Sequence, residues 1–72
     1  MKMKVGDLVK VSSRYSCYNE KEDCNTFIKD NAPFCIIISV GEHHTSFWCP
    51  WNDSILIPRR EESDWCEVVS EA

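Results

Sequence analysis

The chain has 72 residues, of which 43% are hydrophobic and 28% charged, with a formal net charge of −4. That length allows one thin-cored domain spanning 1–72, and the composition is that of a folded domain and not of a disordered segment. An acidic chain without a Lys/Arg stripe disfavours nucleic acid as a partner, and no stretch approaches the ~20 apolar residues of a membrane span.

The opening Met1-Lys2-Met3-Lys4-Val5-Gly6-Asp7 has no apolar run long enough for a signal peptide, so the chain is expected in the cytoplasm, away from any membrane. In that compartment Cys17, Cys24, Cys35, Cys49 and Cys66 are expected as reduced thiols, and their odd number agrees. Leu8-Val9-Lys10-Val11 follows a Gly6-Asp7 turn signal and predicts the first strand within residues 7–13. Residues 14–33, RYSCYNEKEDCNTFIKDNAP, are polar and unpatterned. They read as a long inserted loop holding at most a short helical turn, and a loop of that length in so small a domain is often functional.

Phe34 to Val40 is the clearest strand, with Phe34, Ile36, Ile38 and Val40 expected on the core face and Cys35, Ile37 and Ser39 on the other. Gly41-Glu42 begins a turn. Thr45 to Trp51 follows as a strand with Phe47, Cys49 and Trp51 on one side and Ser46, Trp48 and Pro50 on the other. A hairpin loop of two or four residues then sets Ile38 against Phe47, Ile36 against Cys49 and Phe34 against Trp51, all inward. The same register sets Ile37 against Trp48 and Cys35 against Pro50, both outward. Asn52-Asp53 marks a turn into a strand over Ser54-Ile55-Leu56-Ile57 that Pro58 ends. Arg59 to Asp64 suits a short 3₁₀ turn, Trp65 a plug at one barrel end, and Trp65-Cys66-Glu67-Val68-Val69 a last strand. The expected fold is all-β, a small five-stranded barrel with a long loop after the first strand.

The opening "KVGDLVKV", "WND" at the third turn and "IPRREESDWCEVV" at the end resemble the small SH3-like β-barrel proteins encoded by bacteriophages and other mobile elements. The pattern covers residues 3–13 and 34–70 and leaves 14–33 as an insertion. The resemblance implies an SH3-like barrel and a viral origin, with no established activity and no functional residue to carry over, and fold likeness alone does not license function.

The stretch His43-His44-Thr45-Ser46-Phe47-Trp48-Cys49-Pro50-Trp51 raises zinc and Cys/His catalysis as readings. Structural zinc usually shows close Cys pairs two to four residues apart, and no pair here has that spacing. No metal ligand and no cofactor is therefore assigned, with Cys35, Cys49 and Cys66 read as small buried hydrophobes. A nucleophilic Cys49 would need an accessible thiolate beside a base, whereas the hairpin turns it inward. With Gly6 and Gly41 as its two glycines, the chain also lacks a phosphate-cradling loop, so it is read as not an enzyme.

What remains is a binding surface. Trp48 and Ile37 make an outward aromatic–aliphatic pair suited to an interface, unless the 14–33 loop folds back to cover Trp48 with Tyr15, Tyr18 or Phe27. The loop sets Tyr15 and Tyr18 beside Glu20 and Glu22, and by analogy peptide-binding SH3 domains use such a loop to grip polyproline ligands. Their defining signature is missing here. The expected function is a non-catalytic module binding a protein partner, with a host factor under inhibition as the first reading. The alternatives are an oligomeric small-ligand or nucleotide-signal sponge, and a zinc-stabilised structural module.

Overall fold

A computed structural model describes residues 3–61 and 64–72. Seven strands follow in chain order: β1 Leu8–Val11, β2 Ser16–Asn19, β3 Cys24–Phe27, β4 Cys35–Val40, β5 Thr45–Cys49, β6 Ser54–Pro58 and β7 Cys66–Ser70. They form one antiparallel sheet in the order β3-β2-β6-β5-β4-β1-β7, and no helix occurs among the described residues. All-β is thus correct, but the five-stranded closed barrel is not what forms. The edge strands β3 and β7 do not pair with each other among the described residues. The sheet curls, because residues from both of its halves meet in one buried cluster of Val9, Val11, Cys17, Ile28, Cys35, Ile37, Phe47, Cys49, Leu56 and Trp65. Trp65 lies against Phe47 at 5.8 Å between ring centroids and against Tyr15 at 6.3 Å, so it is a member of the core, and among the described residues there is no closed barrel whose end it could plug.

The 14–33 segment is the first correction. Most of it is a hairpin in which Tyr18 pairs with Asn25 and Cys17 with Thr26, and β2 also pairs with β6, setting Tyr18 beside Ile57. The chain reaches this hairpin by a corner at residues 12–15, where the Tyr15 amide donates to the Ser12 carbonyl at 3.1 Å and Arg14 takes φ 60°. Asn19 sits on the inner face, buried, and its Oδ1 accepts the Glu22 amide at 3.3 Å, which holds the hairpin turn. The 3₁₀ turn expected over 59–64 includes residues 62 and 63, which lie outside the described residues.

The second correction concerns β4. Next to the turn the register is as expected for a four-residue loop, with Val40 opposite Thr45 and Ser39 opposite Ser46. Beyond Ser39 it shifts by one, so that Ile37 faces Phe47 and Ile36 faces Trp48. Ile38 is the extra residue of a β-bulge, and a shift of one residue exchanges the two faces of everything beyond it. Ile37 is therefore 0% exposed, Phe34 50% and Ile38 38%, the reverse of the alternation read from sequence.

The bulge is gripped from the β1 side. The Gly6 amide donates to the Ile37 carbonyl at 2.8 Å, and the Ile37 amide donates to the Asp7 carbonyl at 3.0 Å. Gly6 has φ 96°, a conformation other residues rarely adopt, and a Cβ there would lie 3.0 Å from the Ala72 Cβ. The Asp7 side chain, 1% exposed, accepts the Lys4 amide at 2.9 Å on Oδ2 and the Ala72 amide at 2.8 Å on Oδ1. One carboxylate thus ties the entering and leaving segments to the turn that fixes β4.

Ile37→Ala is expected to cost roughly 2–5 kcal/mol as a large-to-small core change, and Ile38→Ala about 1 kcal/mol or less. Urea unfolding of the two variants checks this, and equal costs would contradict the bulge. The backbone amides of Ala72 and Lys4 hold the Asp7 carboxyl below its ordinary value. A carboxylate with a lowered native pKa contributes stability above its unfolded pKa, and the contribution is lost as pH falls through the native value. Stability should drop more steeply below about pH 4 in the wild type than in Asp7→Asn. Parallel urea midpoints from pH 2 to 7 would remove Asp7 from that role.

Candidate functional site

Strand alternation at the bulge-shifted register builds one continuous outer face. In β5, Thr45, Phe47 and Cys49 are buried, which turns Ser46 and Trp48 out. In β6, Leu56 and Pro58 are buried and Ile55 and Ile57 face out. β2 buries Cys17 and Asn19 and turns Tyr18 out. Cross-strand partners then line up: Tyr18 with Ile57, Ile55 with Trp48, Trp48 with Ile36, and Ile36 with Leu8. An apolar row crosses β2, β6, β5, β4 and β1, half-buried throughout except at Ile55, which is 49% exposed.

Trp48 is the centre of this row. Its indole Nε1 donates to Asp53 Oδ1 at 2.9 Å, and Asp53 holds φ 51° in the β5–β6 turn. A groove of about 470 Å³ runs beside it, lined by Glu20, Lys21, Trp48, Asp53 and Ile55. The β2–β3 turn, through Glu20 and Lys21, forms one wall, so the 14–33 segment flanks Trp48 without covering it by Tyr15 or Phe27. Phe27 is instead exposed on the edge strand.

Of the residues expected at the site, Trp48, Tyr18 and Glu20 share this face. The Tyr18 hydroxyl donates to Asp23, and that bond to a carboxylate pushes its pKa up. Ile37 belongs to the core and is withdrawn from the surface. Tyr15 sits at the far end of the β2–β6 ladder, with its hydroxyl on the Arg60 carbonyl. Glu22 does not line the groove; its carboxylate receives the Cys24 thiol at 3.8 Å. Ile36, Ile55, Ile57, Lys21 and Asp53 were missed as surface residues. β6 is apolar at 55, 56 and 57, so it carries no alternation to sort inward from outward, and Ile36 was assigned to the wrong side of the bulge.

The cysteines occupy the opposite face. Cys17, Cys35 and Cys49 are fully buried, Cys66 partly, and Cys24 is exposed; all are free thiols. Cys35 and Cys49 meet at 3.9 Å between sulfurs. Burial pushes Cys17 up to about 12 and Cys66 up to about 11, while the sulfur contact with Cys49 and burial raise Cys35. The Cys35 thiol beside it lowers the pKa of Cys49, but at 0% exposure its sulfur is out of reach of a substrate, and His43 and His44 lie exposed in the β4–β5 turn. Among the described residues no three His, Cys, Asp or Glu side chains are placed to hold a metal ion, and no helix is long and apolar enough to cross a membrane.

Comparison with protein-family models, with characterised proteins and with solved structures finds no match to this chain.

Native protein at pH 8 should offer one fast-reacting thiol, Cys24, and five after denaturation. Iodoacetamide labelling with peptide mapping reads this directly. Rapid native labelling of Cys17, Cys35 or Cys49 would contradict the burial of the cluster.

Proposed function

We propose that the chain is a non-catalytic binding module that takes a protein partner on the outer sheet face centred on Trp48. The observation that carries this reading is the apolar row Tyr18–Ile57–Ile55–Trp48–Ile36–Leu8, which runs unbroken across five paired strands. Isolated exposed apolar residues need no explanation, but a contiguous patch centred on a tryptophan is the composition of an interface. The Asp53 bond fixes the indole plane, so little rotamer entropy is lost when a partner lands. Glu20, Asp23 and Asp53 outnumber Lys21 around the patch, and a −4 chain adds long-range attraction. The partner this suits is a protein surface carrying an apolar anchor flanked by Lys or Arg.

The resemblance of "KVGDLVKV" and "WND" to phage-encoded SH3-like barrels supports a finer form of the proposal. In that form the sheet is a variant of the SH3-like barrel opened by the β2–β3 hairpin, and the partner is a host protein met in the cytoplasm.

Ile55→Glu places a charge at the most exposed point of the row and should leave the melting temperature within about 3 °C, as surface changes do. It should also weaken partner binding about 30-fold or more, the effect of losing an anchor contact worth about 2 kcal/mol. Capture from host lysate with wild type and variant side by side, followed by titration of the protein retained only by the wild type, makes the comparison. Identical capture by both would sink the assignment of this face, and concentration-dependent self-association lost in the variant would make the partner a second copy.

A further inference from the structure

The other end of the β2–β6 ladder holds a second cavity, of about 300 Å³, lined by Tyr15, Ser16, Arg59 and Arg60. Adjacent residues of a strand point to opposite faces, so two consecutive arginines line one cavity only where the strand has ended. Pro58 is the last residue of β6, and the chain beyond it is re-anchored to β2. The Arg59 amide donates to the Ser16 carbonyl at 3.2 Å, and the Tyr15 hydroxyl donates to the Arg60 carbonyl. Both backbones are thus held while both side chains stay exposed. Tyr15 is itself held, packed on the buried Trp65.

The acid next in the chain is turned elsewhere: Glu61 Oε1 accepts the Thr45 hydroxyl at 2.6 Å. Among the described residues the one salt bridge is Arg14 with Asp30, so neither cavity arginine is neutralised by a described carboxylate. Among the described residues this is a local pair of unneutralised cations, built from the two side chains best suited to bidentate contact with phosphate oxygens. The volume lies at the lower end of ligand clefts, and the net charge of −4 opposes a long polyanion. Those two facts select a small ligand over a nucleic acid.

We infer that the Arg59/Arg60/Tyr15/Ser16 cavity is a binding site for a small phosphorylated molecule of nucleotide size, separate from the Trp48 face. The two guanidinium groups take the phosphate, the Ser16 hydroxyl adds a donor, and the Tyr15 ring offers a flat surface to the rest of the ligand. No bond is made or broken. The two sites share no lining residue and sit at opposite ends of the ladder that pairs Cys17 with Pro58 and Asn19 with Leu56.

The test is titration of the full chain with ADP, pyrophosphate, inorganic phosphate and adenosine, followed by amide chemical shifts and calorimetry. ADP should bind saturably, pyrophosphate should compete, and adenosine should not bind. Shifts should concentrate at residues 15, 16, 59 and 60 and spare Trp48 and Asp53. Arg59→Gln/Arg60→Gln should weaken ADP at least tenfold with an unchanged melting temperature, and Arg59→Lys should fall between. If the double variant fails to fold, the shift map of the wild type decides alone. Absence of saturable ADP and pyrophosphate binding, shifts centred elsewhere, or tighter binding of a single-stranded oligonucleotide than of ADP would each overturn the site.

Discussion

A single extra residue in β4 decides which side chains this protein keeps and which it shows. With Ile38 bulged, Cys35 and Ile37 enter the core against Cys49 and Phe47, and Ile36 is sent to the outer face beside Trp48. A bulge has no reason to stay at one position unless its neighbours hold it there. Here the Gly6 amide and Asp7 carbonyl clasp Ile37 from one side while Phe47 pairs with it on the other. The Gly6 conformation and the Asp7 carboxylate then carry that clasp to both ends of the chain's path. Backbone chemistry at Gly6 and Asp7 thereby sets which side chains the neighbouring strand β4 shows beside Trp48.

The same device explains why the small core is built with three fully buried cysteines. A curled sheet of four- to six-residue strands encloses little volume, and Phe47, Leu56, Ile37 and Trp65 already occupy much of it. Cysteine is a compact hydrophobe that fills the gaps between them without a polar demand on the backbone. The larger aliphatics that the core does not need lie outward, where they add cross-strand contacts and leave an apolar exterior. Interior economy and exterior stickiness therefore have one origin in this fold.

Five strands were legible because each is a run of β-branched or aromatic residues between clear turn signals, as at Leu8–Val11, Thr45–Cys49 and Ser54–Pro58. β2 and β3 were not. SCYN and CNTF carry small or polar residues at inward positions, and Asn19 faces the core because its amide serves the turn. Alternation of hydrophobicity, the usual sign of a strand, is absent from both. Trp48 was correctly read as outward because β5 alternates cleanly and has no bulge. Its neighbours were not, since Ile36 depends on a register shift imposed from Gly6 and Asp7, far away in sequence. The pairing of Tyr15 with Arg59 and Arg60 joins segments that no local pattern connects.

The Asp7 carboxylate has a consequence for how the chain could be rewired. Its two oxygens receive the amides of Lys4 and Ala72, which brings those two backbones side by side on one face of the molecule. A linker of a few residues would bridge them without disturbing a strand, and the Gly41–His44 turn, fully exposed, could then be opened to make new ends. Such a circular permutant would turn β4 and β5 from a hairpin into terminal strands paired only across the sheet. The bulge would then lose the covalent turn that fixes its register on one side, and its position would rest on the Gly6–Asp7 clasp and the pairing of Ile37 with Phe47.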